Sequence, residues 1–194
     1  MSERKLDGAE LEGEKLEGCA FAEERAERVR FDEVRARGCD FRETKIISLG
    51  WSDVTCERCD FSLARWTEPK LTRVVFRDCR ATGARFEGAD LDEVRFVGCQ
   101  LDMASFSGAR FRRVRFENCK MHEMDFTGAK LGGTVFDACE LGSADFIGAS
   151  LEAADIRTST VRDVRLTARE VRGLVVTSGQ AAVLAALLGL VIRD

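Results

Sequence analysis

The chain has 194 residues and a mild formal net charge of −4, from 30 Lys and Arg against 34 Asp and Glu. This length suits one domain. Charged residues throughout positions 1–17 argue against a signal peptide, and the longest apolar run, 181–192, is too short to span a membrane. We therefore expect a soluble cytoplasmic protein.

The aromatic residues follow a strict five-residue period. All thirteen Phe and both Trp share one phase, and they stand at positions 21, 31, 41, 51, 61, 66, 76, 86, 96, 106, 111, 116, 126, 136 and 146. Every position of this phase from Leu6 to Val176 is apolar. A period of five fits neither a helix nor a strand, so it predicts a coil in which each fifth residue returns to the interior.

A second period of twenty residues lies on the first. Seven of the eight cysteines are spaced twenty apart, from Cys19 to Cys139, and so are Phe76, Phe96, Phe116 and Phe136. Twenty is four fives, which predicts four sides per turn and equivalent residues stacked turn on turn. About eight such turns at about 4.8 Å each give a rod roughly 40 Å long.

This pattern resembles the pentapeptide-repeat family, whose units read small residue, polar residue, Leu or Phe, then two variable positions. The segments 89–93 (Ala-Asp-Leu-Asp-Glu) and 129–133 (Ala-Lys-Leu-Gly-Gly) are good matches. The resemblance implies an all-β fold, a right-handed quadrilateral parallel β-helix, over residues 1–176. Residues 177–194 form a separate C-terminal helix and tail in this interpretation.

The first coils depart from the pattern. Glu14 and Glu24 occupy the small inward position, while Ala26 and Ala36 replace the large inward residue. A carboxylate cannot lie unpaired in an apolar core. We expect these turns to be distorted or open to water.

The cysteines admit three interpretations: disulfides, a metal site or inert core thiols. The inward phase of the ladder favours core thiols, since free Cys is often fully buried. Cys56 and Cys59 have the spacing of a zinc pair, but no second pair or nearby His supplies the remaining ligands. We therefore predict no metal and no cofactor.

The five-residue pattern stops at Val176, where a helix is predicted. Thr177 and Gln180 have the spacing of a capping box, residues 181–188 are strong helix formers, and Gly189 stands at the expected stop. The helix is apolar on every side, with Ala181, Leu184, Ala185 and Leu188 on one face. A helix of this kind is buried on both faces.

One helix face can cover the last coil, which leaves the other face for a second copy of the chain. We predict a two-fold dimer through this second face. Its residues are Val183, Ala186, Leu187, Leu190 and Ile192. The alternative is a helix folded under the 190–192 tail of its own chain.

This helix also resembles the C-terminal helix of the quinolone-resistance and mycobacterial fluoroquinolone-resistance pentapeptide proteins, through the segments 180–182 and 187–190. That resemblance implies an elongated homodimer that imitates DNA, binds DNA gyrase or topoisomerase IV in its place, and protects the enzyme from poisons. The register never slips, so the loops of some plasmid-borne relatives are absent, and the chain is closer to the loopless mycobacterial kind.

The outward residues define no catalytic centre. The one histidine, His122, lies on an outward phase, and inward cysteines cannot pair with it as nucleophiles. We predict a non-enzymatic protein without direct nucleic-acid binding. No side is a clean acidic stripe, so an interaction scaffold with an unrelated partner stays open as the alternative function.

Overall fold

The computed structural model describes residues 5–193, which form a parallel solenoid followed by a helix. Its strands are β1 (Glu10–Glu12), β2 (Lys15–Glu17), β3 (Arg25–Asp32), β4 (Arg35–Arg37), β5 (Lys45–Ser52), β6 (Thr55–Glu57), β7 (Arg65–Thr67), β8 (Lys70–Thr72), β9 (Val75–Arg77), β10 (Asp90–Asp92), β11 (Arg95–Val97), β12 (Arg110–Arg112), β13 (Arg115–Glu117) and β14 (Val135–Asp137). The helix α1 spans Ser178–Leu187.

Two parallel sheets form two sides of the solenoid. One has the order β1-β3-β5-β8-β10-β12, with β7 also paired to β5, and the other has the order β2-β4-β6-β9-β11-β13-β14. Within these sheets, paired residues are twenty positions apart, as Phe96 and Phe116 are. The other two sides are held mainly by isolated bridges with the same offset, such as Asp40 to Asp60 and Arg85 to Ser105. The four-sided turn of twenty residues is confirmed.

The regular strands span about six turns, slightly fewer than the eight coils that we predicted. The reason is local. Beyond β14 successive turns are joined by single bridges, Val135 to Asp155 and Asp155 to Val175, rather than by strands. The last turns therefore keep the register but lose extended backbone.

The core consists of the predicted aromatic columns. All fifteen aromatic residues are buried. In one column Phe96 stacks on Phe76 at 4.9 Å and on Phe116 at 4.8 Å between ring centroids. The opposite column contains Phe106, whose ring meets Phe96 edge to face at 5.9 Å. Offset stacking and edge-to-face contacts are the favourable aromatic geometries, so both columns and their meeting line stabilise the rod.

The corners of the solenoid require left-handed backbone. From Gly8 to Ala153, the second residue after each residue of the large inward phase has positive φ, for example Glu43 at 56° and Gly88 at 67°. Glycine adopts this conformation without a steric penalty, which explains its frequency at this phase. Corner side chains point away from the core.

The helix begins and ends close to the predicted residues. Thr177 is the N-cap, and both hydrogen bonds of the capping box with Gln180 are present. The helix starts at Ser178, three residues before the predicted start, because the capping residues themselves lead directly into it. Gly189 follows the C-cap with φ of 83°, as a helix stop does.

Candidate binding surfaces

The C-terminal helix is fixed on the last coil by one apolar and one polar anchor. The Leu184 side chain is 5% exposed and closes the end of the core next to Phe146 and Ile156. The Gln180 side-chain amide donates hydrogen bonds to the carbonyl oxygens of Ile156 at 2.7 Å and Ser159 at 2.8 Å. The predicted covering face is correct for Leu184 but wrong for Ala181, which is exposed because Gln180 reaches the coil at that end of the helix.

The irregular turn under the helix is held by Glu170. Its carboxylate is buried and accepts hydrogen bonds from the Thr167 backbone and hydroxyl, both at 2.7 Å, and from the Gly148 N–H at 3.2 Å. The Thr167 hydroxyl, with backbone N–H groups, lowers the pKa of Glu170, against the opposing effect of burial. Glu170 therefore remains ionised and ties the last turn to the coil before it.

The outer face of the helix is an exposed apolar surface, here called the terminal apolar surface. It contains the residues that we predicted for the dimer contact: Val183, Ala186, Leu187, Leu190 and Ile192. Their large side chains are 41% exposed at Leu187 and 62% exposed at Leu190. The tail does not cover them, since Val191 is itself 80% exposed. The alternative of a helix folded under its own tail is therefore wrong.

At the opposite end of the rod, a carboxylate accepts a hydrogen bond from the backbone of the first turn. Glu24 is half-buried and accepts a hydrogen bond from the Leu6 N–H at 2.8 Å. A small pocket lined by Leu6, Ala9 and Phe21 opens beside it. The two inward glutamates, Glu14 and Glu24, thus lie where the first turns are open, as predicted, and Glu24 satisfies a backbone donor there.

One side of the rod carries an excess of negative charge, and we call it the acidic side. Between residues 40 and 140 it has three cations (Arg42, Arg80 and Lys120) and six carboxylates, which are Asp40, Glu43, Asp60, Asp102, Glu123 and Glu140. Asp40 is paired with Arg42 at 2.6 Å, and this guanidinium lowers the pKa of Asp40. Glu43 and Glu123 are exposed corner residues.

The opposite side of the rod is neutralised by ion pairs between turns. Arg112 contacts Asp90 at 3.1 Å, and Arg113 contacts Glu93 at 3.0 Å and also pairs with Asp92. These are the cross-turn salt bridges expected for solvated faces. Exposed pairs of this kind contribute about 0–1 kcal/mol each.

The cysteines are free thiols in the core. Seven are buried and Cys19 is half-buried. Cys99 Sγ lies 3.4 and 3.5 Å from the carbonyl oxygens of Phe76 and Val97, which share its one S–H donor. Equivalent pairs of contacts are made by Cys39, Cys59, Cys79 and Cys119. Burial raises the pKa of the Cys56 thiol. Within residues 5–193 no three His, Cys, Asp or Glu side chains cluster as metal ligands.

His122 lies on the surface, as predicted. Its Nε2 is 2.9 Å from a Glu140 carboxylate oxygen, and its ring lies over Gly142, where a Cβ would come within 2.6 Å of Nδ1. No nucleophile accompanies it in these contacts. In the described part of the chain, no helix has both the length and the apolar character needed to cross a lipid bilayer.

A sequence profile described as the pentapeptide repeat region matches residues 50–126 and 69–146, together half of the chain. The chain belongs to the pentapeptide-repeat family. Among curated proteins no match is found.

Solved pentapeptide-repeat structures are also similar. Full-length QnrB1, a plasmid-mediated fluoroquinolone resistance protein, is 24% identical, with 93% of this chain and 97% of that chain covered and a TM-score of 0.38. A trypsin-treated QnrB1 variant has 16% identity, coverage of 94% and 99%, and a TM-score of 0.42. HetL from the cyanobacterium Nostoc, involved in heterocyst differentiation regulation, has 15% identity, coverage of 80% and 88%, and a TM-score of 0.29. Because these TM-scores are low, the family assignment rests on the repeat profile.

Proposed function

We propose that this pentapeptide-repeat protein is a non-enzymatic, dimeric rod that occupies the DNA-binding surface of a type II topoisomerase, DNA gyrase or topoisomerase IV, and modulates its response to quinolones or natural poisons. The observation that carries the proposal is the terminal apolar surface. A dimer formed through this surface joins two short rods into one long rod.

The anchored helix presents this surface in a fixed orientation. Leu184 and the Gln180 hydrogen bonds hold its inner face, so Val183, Leu187 and Leu190 face away from the coil. A two-fold contact uses the same patch on both copies. Fully burying a Val or Leu side chain contributes roughly 1.5–3 kcal/mol relative to exposure, and these partly exposed side chains stand to gain a fraction of that each.

The length of such a dimer suits a DNA site. One solenoid measures about 40 Å from the strand spacing, and two joined end to end measure about 80 Å. At about 3.4 Å per base pair, this matches roughly 24 base pairs of duplex. The acidic side runs along the rod, and in the proposed complex its carboxylates take the positions of DNA phosphates on the topoisomerase. Glu43 and Glu123 are exposed members of this side, because they lie at corners.

The test is a supercoiling and drug-induced cleavage assay with purified gyrase, with and without a fluoroquinolone. The wild-type protein is expected to alter supercoiling or reduce drug-stabilised cleavage at micromolar concentration. Glu43→Lys with Glu123→Lys is expected to weaken this effect. Glu33→Lys with Glu57→Lys makes the same change of charge on other sides of the rod and is expected to leave the effect unchanged.

A second function is favoured by the ion pairs. Because Arg112 and Arg113 neutralise Asp90, Asp92 and Glu93, the negative charge is not continuous around the rod. An interaction scaffold for a different protein needs no such continuity. If wild-type protein leaves supercoiling, cleavage and drug sensitivity unchanged for both gyrase and topoisomerase IV, the topoisomerase proposal is wrong and the scaffold function replaces it.

A further inference from the structure

Four cations stack in register on one side of the rod. Arg25 pairs with Lys45, Lys45 with Arg65, and Arg65 with Arg85. All four side chains are exposed. Like charges directly opposite each other on neighbouring strands repel, so this arrangement lowers the stability of the free rod. We call these four residues the basic ladder.

The basic ladder is poorly neutralised by its own chain. Within residues 5–193, Arg25, Lys45 and Arg65 form no ion pair, while Arg85 contacts Glu87 at 3.0 Å. Beyond Arg85 the same column continues with the neutral Ser105 and then becomes negatively charged at Asp125 and Asp145. In this column, the unpaired positive charge therefore lies in one straight segment of the N-terminal half.

An apolar strip follows the corner beside the basic ladder. Leu63, Gly83 and Met103 occupy this corner on three successive turns, between Glu43 and Glu123 of the acidic side, and Leu63 and Met103 are 54% and 56% exposed. A Cβ on Gly83 would lie 2.9 Å from Leu63 Cδ2, so the leucine side chain extends over the glycine toward Met103. Leu63 therefore covers Gly83, and Met103 occupies the next position of the same corner.

The geometry points to an acidic, amphipathic α-helix of a partner protein as the occupant of this surface. An α-helix rises 1.5 Å per residue, so carboxylates at i, i+3 or i+4 are spaced about 4.5–6 Å apart. The rungs of the ladder are spaced about 4.7–4.9 Å apart. Four rungs therefore match about ten residues of helix. The apolar stripe of the same helix then contacts Leu63 and Met103, as in other complexes that dock a helix through its apolar face.

A nucleic acid fits this surface less well. Every aromatic side chain of the rod is buried, so no stacking platform exists for unpaired bases. In a duplex the phosphates wind around the axis, so a straight column of cations meets only a few of them. A phosphate backbone also offers no apolar surface to pack against the apolar strip.

The experiment uses a synthetic helical peptide of about fourteen residues, with Glu on one stripe and Leu on the adjacent stripe, and measures its binding by fluorescence anisotropy. A peptide of the same composition with its Glu residues distributed around the helix is the first control. Preferential binding of the striped peptide, weakened by added salt, is expected.

Variants locate the contact. Arg25→Glu with Arg65→Glu places carboxylates on either side of Lys45, which favours the fold, and is expected to weaken binding by about tenfold or more. Leu63→Gly suits the positive φ of that corner and is expected to weaken binding several-fold. Arg35→Glu with Lys130→Glu is the matched control on the other sides and is expected to have no effect. Equal binding of both peptides, unchanged binding by the Arg25 and Arg65 variant, or stronger ladder-dependent binding of duplex DNA would overturn the inference.

Discussion

Phe96 and Phe116, twenty residues apart, stack with ring centroids 4.8 Å apart and ring planes 8° from parallel. This contact repeats from turn to turn, with Phe116 stacked on Phe136 at 5.2 Å. Each ring in the middle of the column, such as that of Phe116, therefore packs between the rings of the preceding and following turns. The column ties the turns together through the core, in addition to the backbone hydrogen bonds at the surface.

Removal of a ring from the middle of the column is expected to be costly. Phe116→Ala leaves a cavity between two stacked neighbours and is expected to lower the free energy of unfolding by about 3–5 kcal/mol. Phe21→Ala is the control, since Phe21 stacks only on Phe41 and borders the open N-terminal pocket. Urea denaturation followed by circular dichroism checks the difference. Equal losses for the two variants would show that the column does not transmit stability along the rod.

The two tryptophans are expected to respond differently to substitution. Trp66 Nε1 donates to Thr44 Oγ1 at 3.1 Å, whereas Trp51 Nε1 has no protein acceptor within the described residues. Thr44→Val should cost about 1–3 kcal/mol, because it leaves the indole donor buried without its partner. Adding Trp66→Phe should recover part of that loss. Trp51→Phe removes no hydrogen bond to the protein, and chemical denaturation of these three variants tests the pattern.

The last turn of the solenoid, which Glu170 holds, is expected to lose stability in acid. Because the pKa of Glu170 is lowered from 4.5 in the folded chain, its contribution to stability is present above that value and is lost as the pH falls through the lowered pKa. Glu170→Gln should reduce stability at neutral pH and flatten this part of the acid profile. Melting temperatures from pH 7 to pH 3 measure it, with Glu123→Gln as the exposed control. A wild-type profile identical to that of Glu170→Gln would contradict the assignment.

The seven buried cysteines are expected not to react with thiol reagents in the folded protein. Only Cys19 is more than marginally exposed, so a thiol reagent should label about one of the eight cysteines rapidly. Cys19→Ser should remove that reaction, and denaturant should make the remaining seven reactive. Rapid labelling of several thiols under native conditions would mean that the core opens readily.

The sequence predicted the core better than the surface. The core follows one rule, an apolar residue at every fifth position, so each Phe and Trp could be placed inward without knowing its neighbours. The capping box of Thr177 and Gln180 is equally local. The extra anchoring of Gln180 to Ile156 and Ser159 was not predictable, because it depends on how the helix meets the last coil.

The basic ladder was missed for a different reason. Its residues are twenty positions apart, and their importance appears only when each side is followed turn by turn and its ion pairs are known. Arg25 and Arg112 look alike in the sequence, yet one is unpaired and the other contacts Asp90. The strip at Leu63 and Met103 likewise depends on the conformation of one leucine side chain over Gly83.

Small-angle X-ray scattering combined with sedimentation equilibrium tests the central claim, that the terminal apolar surface joins two rods end to end. The wild-type protein is expected to be a dimer with a maximum dimension of about 80 Å, twice the solenoid length given by the strand spacing. Leu187→Asp is expected to give a folded monomer of about half that length, because it places a charge in the contact. A wild-type monomer at micromolar concentration, or a dimer no longer than one solenoid, would contradict the account.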